Sequence, residues 1–203
     1  FSTMHQVGFY ENSEKLINVC LCVISAFGAV MMPRMSNLYA QHKDEECKDL
    51  FVRSMEIAMF IGCAIAFGIA SIAKDFIPIF YGKGYDECIN ITMMLSSTVF
   101  FITWACIIRT LYLIPTERNK VYIYSVFLGA GINIIINWML IPRLASIGAA
   151  IGTIVAEVSV AVYQTIMIKK EMDISKCIKK AVPFVIFGMI MFVIVRNVPI
   201  EVG

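Results

Sequence analysis

Apolar residues are grouped along the chain in six long runs, and charged or turn-forming residues separate one run from the next. Each run is apolar on every helical face, which is typical of membrane-spanning helices and unlike the alternating pattern of barrel strands. A helix needs about 20 apolar residues to cross a bilayer. The pattern predicts an all-α, polytopic transmembrane bundle that forms a single domain over residues 1–203, with helices at about 13–35, 50–73, 86–113, 119–141, 146–169 and 178–196.

Composition supports this prediction. Hydrophobic residues make up 59% of the chain with glycine left out, whereas soluble domains reach about 45–50% with glycine counted. Charged residues make up only 16%, and the mean hydropathy is +0.78. The net charge of +2 is too small to indicate a nucleic-acid partner. The expected environment is therefore the lipid bilayer.

The sequence contains no recognisable catalytic or metal-binding motif. The seven cysteines are scattered without CxxC spacing, and His5 and His42 lie in different breaks between apolar runs, without a second ligand at metal spacing. A Gly-rich phosphate loop, a nucleophile elbow and an HExxH motif are all missing from the sequence. We therefore predict no catalytic residue, cofactor or metal site, and we do not expect an enzyme.

The distribution of basic residues predicts an orientation. Twelve of the seventeen Lys and Arg residues fall in alternate breaks on one side of the predicted bundle. The five on the other side are Lys15, Lys74, Lys83, Arg143 and Arg196. By the positive-inside rule the richer side is cytoplasmic, so Phe1 and the C-terminal residues are predicted to lie outside the cell membrane. Because no signal peptide precedes Phe1, we expect an earlier helix ahead of it in a longer parent protein.

Small residues recur every four positions in the fifth predicted helix, at Gly148, Gly152 and Ala156. Small residues at this spacing allow close helix packing in membranes, which is the role we predict for them. The fourth predicted helix carries amides at the same spacing, Asn133 and Asn137. These amides either form hydrogen bonds between helices or line a cavity, and the sequence leaves both interpretations open.

A carboxylate in the middle of an apolar helix favours the cavity interpretation. Glu157 interrupts the fifth run, and Thr153 lies on the same helical face. An intramembrane charge costs at least about 2.5 kcal/mol unless it is protonated, paired or hydrated. Glu157 is thus either a structural hydrogen-bonding residue or a transport residue. Arg109 lies near the cytoplasmic end of the third predicted helix, where it either extends toward the headgroups or contacts the substrate.

Four stretches together resemble a known family. In order and spacing, "VGFYENSEKLINV", "PRMSNLYAQH", "FYGKGY" and "GINIIINWMLIPRLASIGAAIGTIVAE" are similar to the second half of Wzx-type polysaccharide flippases. These proteins export O-antigen or capsule repeat units and are part of the multidrug/oligosaccharidyl-lipid/polysaccharide (MOP) superfamily. The resemblance covers nearly the whole chain and is specific in the combined order of the motifs.

The resemblance implies a MATE-like transporter with two lobes around a central cavity, of which this chain is a partial second lobe. The cargo would be undecaprenyl-pyrophosphate-linked oligosaccharide, and polysaccharide polymerase machinery would be a partner. The location would be the cytoplasmic membrane of a bacterium or archaeon. Two alternatives stay open: a multidrug exporter of the same superfamily, and a membrane-embedded glycan polymerase or ligase, which would be expected to carry a large outer loop with Arg and His.

Overall fold

The computed structural model describes residues 4–82 and 84–197, and the described residues form helices joined by short connections. The predicted orientation also concerns Phe1, Lys83 and residues 198–203, which lie outside the described residues. Five of the described helices are long and apolar enough to cross a membrane. The predicted all-α polytopic fold is thus confirmed. The helices are α1 (Met4–Ala40), α2 (Asp44–Tyr81), α3 (Asp86–Ser96), α4 (Thr98–Ile108) with a π-helix (Arg109–Leu113), α5 (Asn119–Ile168) and α6 (Ile174–Asn197).

Helix α5 consists of two antiparallel halves. Its backbone leaves the helical region at Ala145, where φ is 48° and ψ is −124°, a conformation that L-residues rarely adopt. Beyond this kink the chain returns along itself. Gly148 lies against the backbone of Leu140, and Gln164 Nε2 donates to Ser125 Oγ at 2.8 Å. We call residues 119–144 α5a and residues 146–168 α5b. Counted this way, the bundle has six potential crossings.

Several helices extend beyond the predicted ranges. Helix α1 has 37 residues and α2 has 38, which corresponds to about 55 Å each at 1.5 Å per residue, well above the roughly 30 Å of a hydrocarbon core. Apolar runs indicate only the part of a helix that lies in lipid, whereas backbone hydrogen bonding continues into the charged first turns, such as Asp44–Glu46 of α2. The predicted third helix, 86–113, is interrupted at Ser97 and ends in the π-helix.

Side-chain contacts gather the helix ends on two sides of the bundle. On one side, Tyr39 of α1 lies edge-on to Tyr112 of the π-helix, with ring centroids 6.2 Å apart, and the Tyr112 hydroxyl donates to Glu171 after α5b. On the opposite side, Gln6 Nε2 donates to Glu87 of α3 at 2.6 Å, and Ser146 donates to Gln6 at 2.6 Å. This arrangement requires that α5 reverse direction at Ala145.

The connections on the first side are held by an ion pair. Arg118 binds both carboxylate oxygens of Glu171, with N–O distances of 2.8 and 2.7 Å, and its guanidinium lies 5.5 Å from the centre of the Tyr112 ring. Partial burial opposes ionisation of Glu171, but the hydrogen bonds from Tyr112 and Arg118 outweigh it and lower the pKa of this carboxyl. The network links the connection before α5a to the connection after α5b.

The largest cluster of buried apolar side chains lies where α2 meets α4 and the π-helix. Phe51, Met55, Ile107 and Leu111 are fully buried there. Helix α6 packs against α2, and Gly188 lies so close to the Phe67 ring that a side chain at this position would collide with it. Because α6 follows α2, it leaves much of α5b uncovered on that side of the bundle.

Candidate functional site

The bundle forms an open cavity of about 590 Å³ between α1, α4 and the two halves of α5. Four of the five predicted cavity residues line it: Arg109, Asn133, Thr153 and Glu157. They come from the π-helix, α5a and α5b, so only the folded hairpin brings them together. The polar residues Asn18, Ser25, Tyr122 and Gln164 line the same space. The result is a cavity in an apolar bundle whose mainly apolar walls carry a group of polar and charged side chains.

A chain of hydrogen bonds forms one wall of this cavity. The Tyr10 hydroxyl and Thr153 Oγ1 are 2.7 Å apart, and Asn133 Nδ2 donates to Thr153 Oγ1 at 3.5 Å. Asn137, the fifth predicted cavity residue, does not line the cavity; its Nδ2 donates to Asn133 Oδ1 at 2.8 Å. Asn137 therefore orients Asn133, and Asn133 and Thr153 face the cavity.

Arg109 and Glu157 place opposite charges in one cavity. Within the described part of the chain, neither of them forms an ion pair within 4 Å. The Arg109 guanidinium instead lies 5.5 Å from the centre of the Tyr122 ring, and Nη2 is 3.6 Å from Cys106 Sγ. A cation held by an aromatic ring keeps donors available for an anion. The cavity can thus contact both an anionic group and a hydrogen-bond donor.

Arg109 lies where α4 passes into the π-helix. Cys106, Ala105 and Ile102, which precede it by three, four and seven residues, line the same cavity, so Arg109 lies on the regular helical face of α4. The π-helical turn begins at Arg109, and such turns are frequent at functional sites. No sequence signal predicts a π-helix here, because its local composition matches that of an ordinary buried helix.

Gln164 lines the cavity and is held by a buried hydrogen bond to Ser125. Both side chains are at most 1% exposed, and Gln164 Nε2 donates to Ser125 Oγ at 2.8 Å. Gln164 lies seven residues after Glu157, on the same face of α5b. Gln164 Oε1 has no partner among the described residues.

The three predicted packing residues lie within the α5 hairpin. Gly148 approaches the Leu140 backbone, Gly152 lies against the Asn137 amide, and Ala156 faces Gly129. All three are buried. The small-residue step therefore holds α5b against α5a, and this packing fixes the separation between Thr153 and Asn133.

Comparisons with known proteins show what this chain is similar to. The bundle is that of a multi-pass membrane protein. A family described as "Polysaccharide biosynthesis protein" matches residues 1–90. The chain is 25% identical, over 154 residues, to the capsular polysaccharide biosynthesis protein CapF of Staphylococcus aureus, a match that covers 75% of this chain and 38% of CapF.

A second relative is a flippase by name. Over 194 residues the chain is 21% identical to the lipid II flippase MurJ of Bacillus subtilis. This match covers 94% of this chain and 36% of MurJ. The chain thus spans less than two-fifths of the length of these curated relatives. No solved structure matches it. Together these matches confirm the predicted resemblance to polysaccharide flippases of the MOP superfamily, and they favour a transporter over an enzyme.

Proposed function

We propose that this chain is part of a flippase that moves undecaprenyl-pyrophosphate-linked oligosaccharide repeat units across the cytoplasmic membrane for polysaccharide biosynthesis. The observation that carries the proposal is the group of polar and charged side chains, Arg109, Asn133, Thr153 and Glu157, on the walls of a cavity within the membrane bundle. Polar and ionisable side chains that face a cavity at membrane depth are typical of a substrate pathway. The similarity to CapF and MurJ supports the same class of cargo.

The residues of the cavity suit different parts of such a cargo. The Arg109 guanidinium provides fixed donors for a phosphate. Asn133 and Thr153 provide a donor and a hydroxyl for sugar hydroxyls. Glu157 accepts hydrogen bonds from sugars, or it binds the proton or cation that drives transport. Transport proceeds by rocking of this lobe against a partner lobe outside this chain.

The orientation that we propose places the connections 41–43, 114–118 and 169–173 in the cytoplasm. These connections lie on the side with twelve of the seventeen basic residues. Contacts among Tyr39, Tyr112 and Glu171 support the grouping of these connections on one side. The Phe1 end and Ala145 then face outside. A cysteine introduced at Ala145, labelled by an impermeant maleimide in intact cells, tests this assignment.

Complementation tests the proposed function. The full-length protein that contains this chain is expressed in a strain depleted of its own repeat-unit flippase, and surface polysaccharide and lipid-linked precursor are measured. We expect restored polymer and a falling precursor pool. Glu157→Gln and Arg109→Gln are expected to abolish the rescue. The control variants Glu117→Gln and Arg34→Gln change exposed residues outside the cavity and are expected to retain the rescue.

A multidrug exporter of the same superfamily is the second candidate, and one observation favours it. Glu157 places a carboxylate in the cavity, which suits a cationic drug. Drug resistance on overexpression, without rescue for several glycans, would support this alternative. The remaining alternative, a glycan polymerase or ligase, gains no support from the described residues, because the connections on the outer side, at 82–85 and at Ala145, are only a few residues long.

A further inference from the structure

Two concave surfaces meet on the side of the bundle away from the cavity. A basic cleft of about 620 Å³ lies where α5b passes into α6, and Lys169, Lys170 and Lys179 line it. An apolar groove of about 450 Å³ adjoins it, lined by Phe101, Trp104, Val162, Ile166 and Val185. Ile178 lines both surfaces, so the groove and the cleft are adjacent.

The three lysines of the cleft differ from neighbouring lysines in lacking an anionic partner. Lys176 binds Asp173, and Lys180 binds Glu56 at 2.6 Å. Lys169, Lys170 and Lys179 make no ion pair within 4 Å in residues 4–82 and 84–197. The nearby carboxylates are already engaged: Glu171 binds Arg118, and Asp173 binds Lys176. The cleft therefore has three positive charges without a counter-ion from the described part of the chain.

The cleft also contains the first turn of α6. Ile174 and Ser175 line it, and α6 has 24 residues. The backbone N–H groups of Ile174, Lys176 and Cys177 already have backbone acceptors, so the contribution of this helix terminus is its positive dipole end, which favours an anion beside it. The lysines and the helix terminus thus select the same sign of ligand.

The groove covers about half of one leaflet of a bilayer. Its lining on α5b extends from Ala161 to Ile166, and the lysines of the cleft follow the end of this helix. The step from Ala161 to Ile166 rises about 8 Å, whereas half of a hydrocarbon core is about 15 Å. A lipid with its headgroup at the lysines would place the first part of its acyl chain along the groove.

The groove is separate from the transport cavity. Gln164 lines the cavity, whereas the adjacent Thr165 lines the groove, so the two sites lie on different faces of α5b. Trp104 Nε1 donates to Thr165 Oγ1 at 2.8 Å. This bond satisfies the indole N–H and leaves the apolar ring on the groove wall.

We propose that the basic cleft and the apolar groove form a binding site for an anionic diacyl phospholipid, with the phosphate at Lys169, Lys170 and Lys179 and an acyl chain against Trp104 and Ile166. Basic pockets between transmembrane helices are known to bind anionic lipid headgroups. The site lies in the leaflet that borders residues 169–173. It does not depend on the identity of the cargo.

Native mass spectrometry of the purified full-length protein tests the site, with phosphatidylglycerol and phosphatidylethanolamine of the same acyl chains as probes. A lysine near an anionic surface contributes about fivefold in affinity. The triple variant Lys169→Gln, Lys170→Gln, Lys179→Gln is therefore expected to lose on the order of 100-fold in phosphatidylglycerol affinity. The matched control is Lys15→Gln, Lys43→Gln, Lys48→Gln, which removes the same charge from lysines that are already paired and that do not line the cleft. This control is expected to lose less than fivefold.

A second variant tests the acyl-chain part of the site. Ile166→Trp fills the groove without changing the charge and is expected to weaken phosphatidylglycerol binding at least tenfold. The control is Ile135→Trp, which changes an exposed residue on the other half of the hairpin and is expected to leave phosphatidylglycerol binding unchanged. Equal affinity for the two lipids, or equal loss in both triple variants, would overturn the proposal. Competition by glycerol phosphate as strong as by the whole lipid would identify a free-phosphate site instead. Preferential retention of an isoprenoid phosphate would overturn the choice of a diacyl lipid.

Discussion

The strongest test of the α5 hairpin is Gly148→Ala. A Cβ atom at Gly148 would lie 2.8 Å from both the carbonyl carbon and the oxygen of Leu140, and 2.9 Å from the nitrogen of Ile141. Ordinary contacts of a Cβ atom begin at 3.4 Å, so the two halves of α5 would have to separate by about 0.6 Å. The opposing atoms are backbone atoms, which no side-chain rotation can move away.

The magnitude follows from two opposing effects. Overpacking in a tight core costs about 1–3 kcal/mol, while replacing a helical glycine by alanine gains about 1 kcal/mol in helix propensity. We therefore expect Gly148→Ala to lose up to about 2 kcal/mol of unfolding free energy. Gly131→Ala in α5a is the matched control, because no atom lies within 4 Å of its added Cβ. This control is expected to gain up to about 1 kcal/mol.

Steric trapping of the full-length protein in bicelles measures the unfolding free energy of both variants. The predicted difference between them is about 1–3 kcal/mol, with Gly131→Ala the more stable. A Gly148→Ala variant as stable as Gly131→Ala would refute close backbone packing at the hairpin. It would also remove the structural reason for placing Thr153 beside Asn133.

Three further predictions concern single polar contacts. Ser125→Ala is expected to cost about 1–3 kcal/mol of unfolding free energy because the buried Gln164 amide loses its acceptor. The double variant Ser125→Ala, Gln164→Met is expected to restore most of this loss, because it removes the unpaired amide. Equal stability of the wild type and both variants would contradict this prediction. The lowered pKa of Glu171 implies stability that is present above about pH 4.5 and lost as the pH falls through the folded-state pKa. Melting temperatures between pH 7 and pH 3 should therefore fall more in the wild type than in Glu171→Gln, and parallel curves would exclude the ion pair as the cause. Thr153→Val is expected to reduce transport while expression is maintained, because Tyr10 and Asn133 both lose their hydroxyl partner; unchanged precursor export would remove this wall from the site.

The all-α polytopic fold and the turn within α5 could be predicted because each depends on local pattern. Apolar runs define the stretches that lie in lipid, and the four-residue step of Gly148, Gly152 and Ala156 indicates a close-packed face. The break "IPRLASIG" indicates a turn, and the structure places the reversal at Ala145. The left-handed backbone at an alanine carries no sequence signal of its own.

The cavity could be predicted only in part, since its geometry depends on contacts between distant residues. Asn133, Thr153 and Glu157 stood out because polar residues are rare in apolar helices. Asn137 has the same local signal as Asn133 but points away from the cavity, into the hairpin. Tyr10 has no sequence signal that links it to the cavity, because its contact with Thr153 spans 143 positions.

The most direct test of the central proposal is flipping in proteoliposomes. The full-length protein is reconstituted with a lipid-linked oligosaccharide, and the fraction of glycan reached by an impermeant oxidant is followed over time. We expect the oxidant to reach all of the glycan with the wild type and with Glu117→Gln. We expect it to reach only half of the glycan with Arg109→Gln or Glu157→Gln. Accessibility that stays at one half with the wild type, in vesicles that transport a cationic drug, would contradict the proposed function.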